Sequence, residues 1–372
     1  MTVIRGPAAL EKLARVCVDE VVQSRYPVFL THAWVDAWFR YLAPMADPIL
    51  VSDDRAERVI AIFAEFSRFG SHSVIPAGVG VSDYPPIRVT CEEEASYLHA
   101  ALAGLADRGR SIRLYSDDGQ TWLQEVRAKW RGISLARDYE LAPLIRIDGC
   151  WEDYLRRRTK RLRANLKRAE RRVRGYGRIS VTRERMTAGL LCELEEVERA
   201  SWKWDRGTAF LASTPRRRFL EAATAALGNR AEVWLLRANR LLIAFAVTLL
   251  EDSRRIYYLP SFRASHPDSG TYLLREIIRA SFDENLGEFD FGQGDERYKS
   301  PWQTSARRIR QLALFPRGAG GWARALLTAS RWQLAKYPMA RAVRYRGKSV
   351  VRSARSRLNY VRMVLTPRTR TG

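Results

Sequence analysis

Residues 232–292 read EVWLLRANRLLIAFAVTLLEDSRRIYYLPSFRASHPDSGTYLLREIIRASFDENLGEFDFG. The segment 232–236 predicts a strand, Ala238-Asn239-Arg240 a tight turn, and 241–250 a continuous apolar strand of the kind a sheet buries on both faces. A third strand follows over 255–262, and then the loop His266-Pro267-Asp268-Ser269-Gly270-Thr271. Over 272–286, Leu273, Leu274, Ile277, Ile278 and Phe282 recur at helical spacing, and 287–292 gives a short last strand. The order strand, strand, strand, small-residue loop, helix, strand predicts an α/β (α+β) fold with a mixed central sheet flanked by helices.

Upstream of this core, 151–173 carries Leu155, Leu162, Leu166, Ala169 and Val173 at helical spacing, with Arg or Lys at most other positions. That pattern predicts a helix with one packed face and cationic outer faces. Two more helices are expected over 190–204 and 215–227. The first 145 residues predict a smaller mixed unit, with a helix over 29–42 capped by Thr31, strands at 49–51, 59–66 and 111–115, and a helix over 94–108. Ser82-Asp83-Tyr84-Pro85-Pro86 reads as a stiff loop. Where the third strand feeds its loop into a helix, free backbone N–H groups and the positive end of the helix dipole favour a phosphate. Ser269, Gly270 and Thr271 would cradle it and Arg263 would neutralise it; the plain alternative is an ordinary helix cap.

The strand and helix order, together with Ser201-Trp202-Lys203, Asp268-Ser269-Gly270-Thr271-Tyr272-Leu273-Leu274 and Phe289-Asp290-Phe291-Gly292-Gln293-Gly294-Asp295-Glu296-Arg297-Tyr298-Lys299, resembles the GCN5-related N-acetyltransferase (GNAT) superfamily. The wording is that of its CelD-like branch, related to the Fem peptidyltransferases, which pairs two such domains in tandem. The resemblance is clear over about 150–315 and fainter over the N-terminal part. It implies a degenerate GNAT-like domain over 1–145, an acyltransferase domain over 150–315 and a basic helical tail over 318–372. It also implies acyl transfer from a thioester, usually acyl-CoA or acetyl-CoA as co-substrate, to an amine or hydroxyl. The loop departs from the wider family in having only Gly270 between Arg263 and Leu273, so an aminoacyl-tRNA donor, as in Fem enzymes, stays open. Such chemistry needs a proton acceptor, a polarised carbonyl and a protonated leaving group. His266, Asp295 and Glu296 are the expected acceptors, Tyr298 the acid, and Lys299 a group for a phosphate or an oxygen. Trp202, Lys203 and Asp290 are expected at the acceptor cleft, with packing of Trp202 and bracing by Asp290 as the structural alternatives.

The formal net charge is +23 over 372 residues, and its position matters more than its size. Residues 156–185 hold 14 basic and 2 acidic residues, and 19 Lys or Arg follow Glu296 with no acidic residue among them. The rest of the chain is net acidic, so two cationic segments point to a polyanionic partner. Residues 320–340 and 349–365 combine helical apolar spacing with arginines and with Trp322, Trp332 and Tyr337, as a basic helix lying on an anionic membrane does. Nucleic acid is the less favoured partner. The longest apolar run, 241–250, is too short to span a bilayer, and no signal peptide is expected. Cys17, Cys91, Cys150 and Cys192 lack metal-ligand spacing, so no metal is expected and a reducing cytoplasm fits. No HExxH, P-loop or Ser/His/Asp pattern competes. The expectation is a cytoplasmic, peripheral-membrane acyltransferase acting on the amine or hydroxyl of a lipid or polysaccharide precursor, with ceramide-type N-acylation of a long-chain base as one form. The alternatives are a Fem-like, aminoacyl-tRNA-dependent transferase and a non-catalytic membrane or nucleic-acid binding module.

Overall fold

A computed structural model describes residues 2–17, 26–53, 58–68, 71–117, 121–294 and 296–334. The described strands are β1 (Thr2–Arg5), β2 (Asp47–Asp53), β3 (Arg58–Arg68), β4 (Ser71–Pro76), β5 (Ser111–Asp117), β6 (Ile133–Arg146), β7 (Ile179–Glu184), β8 (Ala231–Ala238), β9 (Leu241–Glu251), β10 (Arg254–Phe262), β11 (Glu288–Asp290) and β12 (Ser305–Phe315). They form one mixed sheet in the order β1-β2-β3-β4-β5-β12-β6-β11-β10-β9-β8-β7.

The sheet repeats one plan twice. An antiparallel β2-β3-β4 meander ends in a parallel β4–β5 pair, and an antiparallel β8-β9-β10 meander ends in a parallel β10–β11 pair. Each half then lends its next strand to the other: β6 lies against β11, and β12 lies against β5. The long β12–β6 pairing closes the exchange. Residues 145–150, where sequence reading divides the chain, fall at the end of β6, and the sheet is continuous there. Met1–Arg317 groups as one compact unit and Gly318–Gly372 as a second.

The helices follow the apolar spacing. Leu162, Leu166, Ala169 and Val173 are the buried face of the helix Lys160–Arg174, with Thr159 accepting the Leu162 N–H at 3.2 Å. That cap splits the single helix expected over 151–173 into Trp151–Arg156 and Lys160–Arg174. Ser201 does the same between Ala188–Arg199 and Trp202–Asp205. In the N-terminal half, the helix His32–Tyr41 packs on the helix Thr214–Leu227 from the C-terminal half. The Trp34 ring lies 5.0 Å from Phe219 and 5.3 Å from Tyr258, edge to face. A shared core therefore holds the two halves in register.

Part of the positive charge that follows Glu296 lies in the sheet. Arg307, Arg308 and Arg310 lie in β12 and pair with Glu288 and Asp290 or with Asp138. In the second unit the described element is the helix Ala319–Leu334. The segment 349–365 and Tyr337 lie outside the described residues.

Candidate active site

β10 and β11 pair in parallel over only three residues, Arg254 to Ile256 against Glu288 to Asp290. β11 then stops at Asp290, while β10 runs on to Phe262, so the strands part and leave room between them. Just past the last paired residue, β10 carries a bulge: Tyr257 and Leu259 face Thr248 and Val247, and Tyr258 is the extra residue. Bulges re-aim a side chain next to active sites. Here the re-aimed ring lines a cavity of about 320 Å³, together with Ser82, Asp83, Tyr115, Tyr139, Phe210 and Gln293 among others.

The loop 77–86 brings the N-terminal half to this cavity. Its turn is closed by Val81 and Ser82 N–H groups donating to the Gly78 carbonyl, and Trp34 Nε1 donates to Ser82 Oγ at 2.9 Å. The Tyr84 hydroxyl donates to Asp290 Oδ2 at 2.7 Å. Asp83 accepts the Gln293 N–H at 3.2 Å, and the Gln293 side-chain amide donates back to the Asp83 carbonyl. Gly292, at φ +68, has no side chain to block this approach: a Cβ there would stand 2.6 Å from Asp83 Oδ2.

Burial raises the Asp83 carboxyl from 3.8 to about 7; Asp290 and Glu296 push the same way, against the Gln293 N–H and the Lys299 charge. Between about pH 4 and 7 the folded protein thus holds a proton that the unfolded chain has lost. Stability falls as pH rises through that window, and the cost is complete above about 7. Asp83→Asn removes it, so the variant is expected to melt above the wild type at pH 8, with the gap closing toward pH 4. Scanning calorimetry at the two pH values checks this.

The structure gathers some of the expected site residues and separates others. Lys299 is 3% exposed and braces the loop after β11, donating to the carbonyls of Gln293 at 2.9 Å, Gly294 at 3.1 Å and Gly292 at 3.5 Å, with Glu296 Oε2 at 2.7 Å. Its donors are committed within the chain, which leaves none for the substrate oxygen or phosphate expected from sequence. Tyr298 is half exposed, and burial together with Glu296 and Asp83 raises its phenol, which keeps its proton. Lys203 donates to the Pro260 carbonyl at the far end of β10, and burial lowers its ammonium. Trp202 is exposed rather than packed, with Arg206 over its ring at 4.9 Å. Asp290, expected at the cleft, is fully buried. It accepts from Tyr84, Gly292 N–H, Arg254 and Arg307, so it braces the two halves.

The loop before the helix Ser269–Asp283 is a separate cluster. His266 pairs with Ser265 Oγ at 3.0 Å and stands 4.8 Å from the Tyr176 ring; burial and Arg263 lower its imidazole. Ser269 is buried and donates its hydroxyl to the His266 carbonyl at 2.7 Å, so that hydroxyl is spent within the loop. Gly270 makes room for Phe262, whose ring would be 2.7 Å from a Cβ. Arg263 donates from Nε to the Leu242 carbonyl at 2.8 Å. Thr271 lies in the first turn of the helix, and Asp268, at its entrance, is paired with Arg168 and Arg172. Asp295 lies outside the described residues. Among the described residues no group of His, Cys, Asp and Glu forms a metal cluster. Asp83 and Tyr258, which sequence reading did not single out, are the groups facing the cavity.

A family model described as an acetyltransferase (GNAT) domain matches residues 160–300. No curated protein sequence matches the chain. Among solved structures, the C-terminal domain of a protein described as a lysylphosphatidylglycerol synthetase from Agrobacterium fabrum is similar at TM-score 0.55 and 15% identity, over 86% of this chain and 96% of that one. L-PGS from Bacillus licheniformis is similar at 0.53 and 12%, over 87% and 96%, and FemX at 0.54 and 13%, over 84% and 97%. Parting strands, a repeated half-sheet and these matches lead to one identification: residues 160–300 match the acetyltransferase (GNAT) domain model, and the chain has a GNAT fold like that of FemX.

Proposed function

We propose that the protein transfers an acyl group from an activated donor, acyl-CoA in the leading reading, to an amine or hydroxyl of a lipid or polysaccharide precursor at an anionic membrane surface. The observation that carries this is the parting of β10 and β11 at the Tyr258 bulge, which opens the sheet beside a carboxylate, a protonated phenol and a cavity. Acyl transfer needs those parts: a proton acceptor for the nucleophile, a proton donor for the leaving group, and a dry seat for the acyl carbonyl. Tyr298 suits the donor role because its raised phenol arrives protonated. The membrane setting is supported by the helix Ala319–Leu334. Trp322, Leu326, Leu327 and Leu334 are exposed on it, and at about 100° per residue they share one arc, bordered by Arg324 and Arg331. No helix among the described residues is long and apolar enough to cross a membrane. A lipid acceptor also fits the name carried by the Agrobacterium fabrum neighbour.

A second donor, aminoacyl-tRNA, is favoured by the loop 263–271. Its one glycine faces the Phe262 ring and its buried serine hydroxyl is spent on the His266 carbonyl, so neither side of these two residues is open to a pyrophosphate. Arg168 and Arg172 stand beside it on the basic helix. The deciding assay offers acyl-CoA of two to sixteen carbons or aminoacyl-tRNA, with amine-bearing lipids in anionic vesicles as acceptor. Free thiol release with an acylated lipid is the expected result. Deacylation of tRNA without thiol release moves the donor to tRNA, and neither signal with any donor overturns the acyl-transfer reading.

A further inference from the structure

We propose that the cavity beneath loop 77–86 is the acceptor subsite, that it takes the acceptor as a protonated amine, and that Asp83, supplied by the N-terminal half, removes the proton. This rests on the acyl-transfer reading above and assigns the nucleophile's side of the reaction.

Three independent features of the cavity carry it. The first is that the Asp83 carboxylate lines the cavity, is partly exposed there, and has no ion-pair partner among the described residues; its one side-chain hydrogen bond comes from the Gln293 N–H. Carboxylates nearby are matched: the buried Asp290 by two arginines, the part-buried Glu251 by Arg254 and Glu288 by Arg307. A carboxylate kept without a cation in a tight site is a place for a cation that arrives with the substrate. The second is the Tyr258 hydroxyl, buried and without a hydrogen-bond partner. An unpaired buried hydroxyl costs about 1–3 kcal/mol, and the bulge that re-aims Tyr258 places it on the cavity wall beside Asp83. The third is the wall itself: Tyr115, Tyr139, Phe210 and Tyr258 are aromatic, with Arg137 over the Tyr139 ring and Arg216 over the Phe210 ring at 5.3 Å each, and Val79 and Leu259 are apolar. Aromatic faces attract an ammonium while excluding anions, and apolar neighbours suit an alkyl stem.

The proton accounting is direct. The ammonium R–NH₃⁺ gives one proton to the Asp83 carboxylate, and the free amine attacks the acyl carbon to form the C–N bond. As the tetrahedral adduct collapses, the bond from the acyl carbon to the leaving sulfur or oxygen breaks. Tyr298 gives its phenol proton to that leaving atom and takes the second nitrogen proton in its place, and Asp83 later returns its own proton to solvent. A carboxyl held near 7 is matched to this task, whereas an ordinary surface carboxylate is too weak a base. The charged and titratable groups around it are Asp290 at the end of β11, Glu296 and Lys299 on the following loop, Tyr258 on β10, Arg216, whose charge reaches Tyr258, and Tyr298. Of these, Asp290 is matched by arginines and Lys299 by Glu296 and three carbonyls. The tyrosines stay protonated below pH 9, and Asp83 is the carboxyl on the cavity wall that burial holds near 7.

The test uses the full chain. In the wild type, kcat/KM for the amine should rise about tenfold per pH unit below 7 and level off above it. Asp83→Asn should lower kcat/KM about 100-fold or more and abolish that inflection. Hydroxylamine, already unprotonated at pH 7, should be acylated by the variant within a few-fold of wild type. Tyr258→Phe should lower kcat/KM about tenfold while leaving the melting temperature unchanged or raised, since it deletes an unpaired hydroxyl. Binding is read without a donor: n-hexylamine should bind the wild type at least tenfold more tightly than n-hexanol does, and Asp83→Asn should erase the difference. An Asp83→Asn enzyme that keeps its rate and pH profile overturns the proposal, as does equal binding of hexylamine and hexanol to the wild type. If the wild type transfers no acyl group but shows the amine preference, the acyl-transfer reading fails and the subsite stands.

Discussion

Asp290→Ala is expected to cost about 3 kcal/mol of stability, the scale of removing one member of a buried ion network. Asp290 is fully buried at the end of β11, where it accepts from the Tyr84 hydroxyl at 2.7 Å, the Gly292 N–H at 2.8 Å, Arg307 at 3.1 Å and Arg254 at 3.4 Å. Truncation leaves a phenol and a backbone N–H unpaired, and it strips a counter-charge from two part-buried guanidiniums. Arg254 keeps Glu251 and Arg307 keeps Glu288, which is why the loss stays at the low end of that range. Asp290→Asn, which keeps the shape and most hydrogen bonds, should lose less than half as much. Urea unfolding followed by tryptophan fluorescence measures both. A loss under 1 kcal/mol for the alanine variant would show that Tyr84 and the arginines do not depend on this carboxylate.

The same network explains what sequence reading reached and what it did not. The segment 232–292 was legible because its signals are local: β9 is apolar throughout, and the helix Ser269–Asp283 buries the positions its spacing marks. β6 and β12 gave no such signal. In β6 burial is concentrated at 142–145, and the first half of β12 is rich in arginine, since these strands exchange ion pairs with each other and with β11. Part of the charge counted after Glu296 is therefore sheet pairing. Asp83 was passed over as part of a stiff loop because its meaning lies 210 residues away, at Gln293. The Ser-Gly-Thr start of the helix drew attention for the opposite reason. It matches a local phosphate pattern, but packing against Phe262 and capping of the His266 carbonyl account for Gly270 and Ser269. A short motif states what a backbone can do; the fold decides which of its groups remain free to do it.

Lys299→Met should then be the most damaging single change to activity, although the Lys299 donors are spent within the chain. Its ammonium is 3% exposed and gathers the carbonyls of residues 292, 293 and 294 around one charge, closed by Glu296. That knot fixes Gln293, and Gln293 fixes Asp83 through both its backbone N–H and its side-chain amide. Methionine matches the length of the stem but leaves the carbonyls unpaired, so the loop must reopen to water. A displacement of about 1 Å at the reacting groups costs on the order of 100-fold in rate, and the lost charge also raises Asp83 further, since Lys299 now lowers it. The expected result is a kcat reduced about 100-fold or more, a donor KM within a few-fold of wild type, and a pH–rate inflection moved upward from about 7. Lys299→Arg should not rescue the rate, because a planar guanidinium cannot serve three converging carbonyls as an ammonium does. A variant that loses donor binding while keeping kcat would instead make Lys299 a substrate ligand, and the brace drawn from its hydrogen bonds would fall.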